Sequence, residues 1–107
     1  MSDRLPAIEH LKSLARTLEE LAPQGIELYE HHYHPQTFGS FELVLGRGHE
    51  HLQFTWDGRD TVLSVSSATV TNKNAKPSWT HDANISLPNG EGLFEEIASN
   101  VEQMLAT

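Results

Sequence analysis

Residues 41–67, FELVLGRGHEHLQFTWDGRDTVLSVSS, constrain the chain most. Apolar and polar side chains alternate through them, a period that suits a half-buried strand and not a helix. Two glycine-bearing stretches, Gly46-Arg47-Gly48 and Asp57-Gly58-Arg59-Asp60, interrupt the alternation. Glycine tolerates the positive φ of tight hairpin turns, so the stretch reads as three antiparallel strands. With Arg47-Gly48 and Gly58-Arg59 as two-residue loops, Leu43 faces Leu52, Phe41 faces Phe54, Phe54 faces Leu63 and Leu52 faces Val65. Opposed side chains share a face. This register gathers Phe41, Leu43, Leu45, Leu52, Phe54, Trp56, Leu63 and Val65 on one face. A one-residue slip in either hairpin would scatter them. The other face carries Glu42, Val44, His49, His51, Gln53, Thr55, Ser64 and Ser66. Helices are therefore expected on the first face, and solvent or a partner on the second.

Residues 4–22 recur as an amphipathic helix, with Ile8, Leu11, Leu14, Ala15, Leu18, Leu21 and Ala22 inward and Glu9, Lys12, Arg16, Glu19 and Glu20 wet. Ser2 or Asp3 suits its N-cap, and Pro23 with Gly25 ends it. Residues 26–34, IELYEHHYH, read as a strand of divided facing: Ile26 and Leu28 favour even positions inward, Tyr29 and Tyr33 odd ones. A bulge near Glu30 would reconcile them. A fourth strand runs from Thr61 towards Val70, and residues 72–78 form a polar loop. In residues 79–87, Trp79, His81, Ala83, Ile85 and Leu87 are expected inward. The last helix, residues 91–106, carries Leu93, Phe94, Ile97, Ala98, Val101, Met104 and Leu105 as its apolar stripe, with Asn89 as a candidate cap and Glu91, Glu95 and Glu96 near its positive end. The order is α-β-β-β-β-β-α. It predicts a single α+β domain over residues 1–107: a two-layer sandwich whose meander sheet of four or five strands carries both terminal helices on one face. The layout is similar in topology to the frataxin fold, and topology does not set function.

Fifteen acidic and seven basic residues leave a net charge of −8. With no basic run, the chain repels a phosphate backbone, which argues against nucleic acid and for a basic protein or a cation as partner. The absence of cysteine excludes thiolate metal sites and cysteine nucleophiles. No apolar leader opens the sequence and no stretch approaches the roughly 20 apolar residues of a membrane helix, so the expected location is cytoplasmic, away from membranes.

The chemistry-bearing candidates are histidines, of which there are seven. His32-Tyr33-His34 and His49-Glu50-His51 each place two imidazoles on one side of a strand, about 7 Å apart. Neutral imidazole suits zinc, nickel or copper. Glu42 shares the outer face with His51, and His32 joins them if even residues of the first strand point outward, at about 10 Å from His51 across the sheet. His32, His34, His49, His51 and Glu42, with Glu30 in reserve, are thus the candidate metal ligands. The bland reading is a wet sheet face that uses histidine. The acyl-transfer reading lacks a Gly-x-Ser-x-Gly elbow, and Gly46-Arg47-Gly48 is too short for a phosphate loop. A cupin-like use of the His49/His51 pair lacks its following glutamate, since Thr55 and Trp56 stand there. Three functions remain in view. The leading one is a small acidic non-enzymatic interaction module of the adaptor, chaperone or inhibitor kind. The others are a metal-binding sheet face and an enzyme acting on a small molecule between sheet and helices. A homodimer through the histidine face or an edge strand is compatible with each.

Overall fold

The computed structural model describes residues 4–34, 36–70 and 78–105. The proposed cap at Ser2 or Asp3 and most of the polar loop at 72–78 lie outside them. Helix α1 (Arg4–Leu21) leads through a 3₁₀ turn at Ala22–Gln24 into strand β1 (Glu27–His34). Strands β2 (Ser40–Arg47), β3 (Glu50–Asp57), β4 (Val62–Thr69) and β5 (Thr80–Ser86) follow, then a 3₁₀ turn at Pro88–Gly90 and helix α2 (Leu93–Leu105). The five antiparallel strands lie in the order β1-β2-β3-β4-β5, flanked by the two helices, as the alternation and the two helical periods predict. No helix among the described residues is long and apolar enough to cross a membrane.

The expected inner face is the core. Phe41, Leu43, Leu45, Leu52, Phe54, Trp56, Leu63 and Val65 are all buried, and Leu14, Leu21, Ile97, Val101 and Leu105 close over them. The pairings within that face differ from expectation by two residues in each hairpin. Leu43 pairs with Phe54 and Leu45 with Leu52, while Phe54 pairs with Val65 and Trp56 with Leu63. A two-residue slip leaves every side chain on its own face, so the apolar pattern does not choose between the registers. Turn chemistry does. The first loop is Gly48-His49, which gives Gly48 (φ 62) the first central position that a type II′ turn reserves for glycine. In the second, Asp57 Oδ1 accepts from the N–H groups of Arg59 (2.9 Å) and Asp60 (3.1 Å), which winds a four-residue loop.

Strand β1 carries the expected bulge, its register shifting between Leu28 and Glu30. Beyond it His31 and Tyr33 pair with Leu43 and Phe41, so odd residues turn inward, and Glu30, His32 and His34 turn outward. A second bulge, between Val65 and Ser66, corrects the reading of β5: His81 pairs with outward Ser66 and is exposed, not inward. The extra residue there is Asp82; Ala83 and Ile85 keep the expected facing against Val65 and Leu63, and Leu87 packs against the core as expected.

Helix α1 is rotated from its expected setting. Its buried seam is His10, Leu14, Thr17 and Leu21, whereas Leu11 is 55% exposed and Ala15 and Ala22 are also outside. Both polar seam residues are satisfied: the Thr17 hydroxyl donates to Ser13 O at 2.9 Å, and His10 pairs with His31. Burial therefore leaves no orphaned group, and the seam is as admissible as an apolar one. Helix α2 starts two residues later than expected, because the Gly92 carbonyl accepts its first helical bond from Glu96 (2.8 Å) while Asn89 sits at φ 61 in the preceding turn. At its far end Arg47 donates to the carbonyl of Leu105 and, at 3.3 Å, to that of Gln24. A guanidinium there satisfies terminal carbonyls and meets the negative end of the helix dipole.

Candidate functional site: a cleft between the helices and the sheet end

The helices and the sheet leave a cleft at one end of the sandwich. There α1 contributes Glu9, His10, Ser13, Arg16, Thr17 and Glu20 to one wall of a cleft of about 520 Å³. The approach to α2 supplies the opposite wall through Asn89, Gly90, Gly92, Leu93, Phe94 and Glu95. Tyr33, Gly39, Phe41 and Trp56 form the floor. The volume lies within the range of small-ligand and side-chain pockets, about 300 to 1,000 Å³.

The floor is an aromatic cluster built around His10. The Tyr33 ring lies flat against it at 4.2 Å with the planes 8° apart. Phe41 and Phe94 approach at 4.8 and 5.6 Å in tilted poses. His10 Nε2 is 2.8 Å from His31 Nε2. The two rings are nearly coplanar (15°) with centroids 5.1 Å apart, the separation that an end-to-end contact gives. One nitrogen donates and the other accepts, so the pair shares one N–H···N bond across the α1–β1 interface. Burial pushes the His10 pKa down from 6.5 to about 4, with the neighbouring His31 adding to the effect. His31 is lowered as well, by burial first and then by His32. Both rings are therefore neutral at pH 7.

The rim has the opposite character. Glu9, Glu20 and Glu95 are exposed around the mouth, with Arg16 as the one cation lining it among the described residues. Among the described residues the only ion pair is His34–Glu42, so none of the three rim carboxylates makes an ion-pair contact with a described side chain. The arrangement is acid above aromatic. It can attract a cation to the rim by charge, above a floor whose rings are packed against one another.

The histidines singled out from the sequence lie elsewhere, on the outer face of the sheet. His34 Nε2 is 3.4 Å from Glu42 Oε2, both about half exposed, and His32 is the backbone partner of Glu42. His51 is the partner of Gly46 and lies against the Tyr29 ring at 4.4 Å. His49 is a turn residue whose Nδ1 donates to Val70 O at 2.8 Å. Glu30 pairs with Val44. The meander thus sends the two His-x-His pairs to opposite ends of β2. Four residues along the strand and two strand spacings put His32 and His51 about 16 Å apart, beyond the expected 10 Å. The outer face brings His34 and Glu42 together and leaves His49 and His51 apart from them. Among the described residues no three histidine, aspartate or glutamate side chains converge in a metal-holding group.

Sequence reasoning missed His10, His31 and the cleft. The available signal was the 10/14/17/21 spacing in α1, of which Leu14 and Leu21 were read as inward while the polar His10 and Thr17 were passed over. No family model matches the sequence, and neither a curated protein nor a solved structure matches it.

Proposed function

We propose that the chain is a small acidic, non-enzymatic interaction module that grips a basic segment of a partner protein in this cleft. The observation that carries the reading is the set of three rim carboxylates, Glu9, Glu20 and Glu95, without a described cationic partner and set over a floor of Tyr33, Phe41 and Trp56. The net charge of −8 adds long-range attraction for the same class of partner. Binding of hexalysine and hexaarginine, followed by backbone amide shifts at low salt, tests it. Saturable shifts should centre on residues 9–20 and 89–95 and weaken as ionic strength rises. Glu9→Gln, Glu20→Gln and Glu95→Gln together should weaken binding about tenfold, at roughly 0.5 kcal/mol for each exposed pair. Binding that ignores the triple substitution, or no saturable binding below about 50 mM salt, sinks the reading.

A second reading uses the outer sheet face, where His34 and Glu42 already meet at 3.4 Å with His32 alongside. Zinc, nickel or copper held there would draw on the His34–Glu42 pair and on His32, which would have to move into reach, since no three such side chains converge among the described residues; His49 and His51 stay outside that group. Selective imidazole shifts of His32 and His34 on zinc titration would support it, and a uniform response of all seven histidines would end it.

A further inference from the structure

The turn between β1 and β2 holds an aromatic residue that the fold has no use for. Thr37-Phe38-Gly39-Ser40 closes with the Ser40 N–H donating to Thr37 O at 3.0 Å. Its two central residues both have positive φ, 56° at Phe38 and 74° at Gly39. This is the type I′ pattern, whose preferred central pair is Asn-Gly. A bulky side chain in the left-handed region is strained, and strain of this kind concentrates at functional positions. Phe38 gains little burial in exchange, since it is 68% exposed, the most exposed large apolar residue among those described. The other two residues in this conformation are accounted for locally. Asn89 tolerates it by nature, and Thr61 donates its hydroxyl to Asp60 O at 2.7 Å.

The turn is also held firmly. A Cβ on Gly58 would come within 1.9 Å of the Phe38 carbonyl oxygen, so the β3–β4 turn packs backbone to backbone against it. The Gly58 N–H donates to Ser40 Oγ at 2.9 Å. Phe38 is therefore presented on a fixed support. Gly39, its neighbour, lines the cleft beside Tyr33, so the turn that carries Phe38 borders the cleft. Exposed Asp57 and Asp60 lie in the abutting turn, with Arg59 between them.

We infer that Phe38 is an interface anchor on which an arginine of the basic partner stacks, extending the site beyond the cleft. This rests on the proposed binding of a basic segment. Arginine is favoured over lysine because its planar guanidinium can lie on a ring face while its charge answers the carboxylates of the rim and the adjoining turn. An anchor kept for a partner costs the isolated fold, and replacing it should improve the fold and harm the binding.

The experiment compares wild type, Phe38→Asn and Phe38→Tyr in thermal unfolding and in titrations with hexaarginine and hexalysine at low salt. Wild type and Phe38→Tyr should prefer hexaarginine by about two- to fivefold. In Phe38→Asn that preference should fall to about one, while Tm rises by about 4 to 8 °C as the turn gains its favoured Asn-Gly pair. A lower Tm in Phe38→Asn would show that the fold itself requires the ring, and would overturn the inference. Equal selectivity in wild type and Phe38→Asn would overturn the anchor and leave the cleft reading standing. No binding of either peptide to wild type would remove both.

Discussion

Acid should destabilise this protein through His10 before its carboxylates titrate. The His10 pKa is about 4 in the folded chain, against the ordinary 6.5 that applies once it unfolds. A histidine whose folded pKa is depressed stabilises the fold fully above the unfolded value, and that contribution is lost as pH falls towards the folded one. Between 6.5 and about 4 the ceiling is about 3 kcal/mol, and at pH 5 about 2 kcal/mol of it is already gone. The cleft admits solvent to one side of the ring, so the expected loss from pH 7 to pH 5 is about 1 kcal/mol. The surroundings offer the cation little relief. His31 and Tyr33 face it from β1, Phe41 from β2 and Phe94 from α2. Glu9, Arg16, Glu20 and Glu95 stand around the same cleft, but among the described residues the only polar side chain hydrogen-bonded to the His10 ring is His31. Urea unfolding monitored by tryptophan fluorescence at pH 7 and pH 5 measures the effect, at a lower limit that leaves carboxylates mostly ionised. His10→Phe keeps an aromatic ring against Tyr33 and removes the titration. Its stability should vary by about 1 kcal/mol less than that of wild type over the same interval. Parallel pH profiles for the two proteins, or a wild type more stable at pH 5 than at pH 7, would refute the argument.

Two further substitutions probe how the ends of the sandwich are tied. Gly58→Ala should destabilise by about 2 kcal/mol or more, because its new methyl group meets a backbone carbonyl at 1.9 Å and neither backbone can swing aside as a side chain would; unchanged urea midpoints would contradict it. Arg47→Met should cost about 1.5 to 3 kcal/mol by freeing the carbonyls of Leu105 and Gln24, and amide exchange should quicken first in the last turn of α2.

The strand count, the strand order and the inner face were legible because alternation over residues 41–67 admits one assignment of faces. Register was not, since a slip of two residues conserves every face and only turn chemistry separates the options. The Asp57 side chain decides one hairpin and the φ of Gly48 the other. The bulge in β1 could be read from the clash between Ile26/Leu28 and Tyr33, because both halves of the strand carry apolar markers. The bulge in β5 could not, as His81 and Asp82 mark neither face strongly. The setting of α1 was misread for a related reason. The expected stripe rightly held Leu14, Leu18 and Leu21 but completed them with Leu11, Ala15 and Ala22, as hydropathy prefers, where the structure completes the seam with His10 and Thr17. What decides for His10 is a hydrogen bond to His31, 21 residues away in the chain, which no local pattern contains. The cleft was out of reach on the same grounds, since its walls come from α1, the β1–β2 turn and the approach to α2.

The departures from ordinary residue placement are not spread evenly. His10 and Thr17 are polar groups in a helix seam where leucine would serve, Leu11 is left in solvent beside them, and Phe38 takes an asparagine's place in a turn. His10 and Thr17 line the cleft, and Phe38 adjoins Gly39, which lines it too. Sequences that fold well agree with local rules almost everywhere, and the exceptions tend to gather where a protein does its work. His10, Thr17 and the Phe38 turn have local costs and a shared neighbourhood, and packing alone gives no reason for that coincidence; Leu11 and Thr61 (φ 54) lie outside it. A histidine pair kept neutral by burial, a ring of carboxylates without described cationic partners and a rigidly supported exposed phenyl group together form a surface that is acidic, aromatic and preorganised. Such a surface loses little conformational entropy when a cationic partner arrives. On the proposed reading the unfavourable placements share a physical purpose, which would tie the stability of the isolated chain to the affinity of the site with opposite signs.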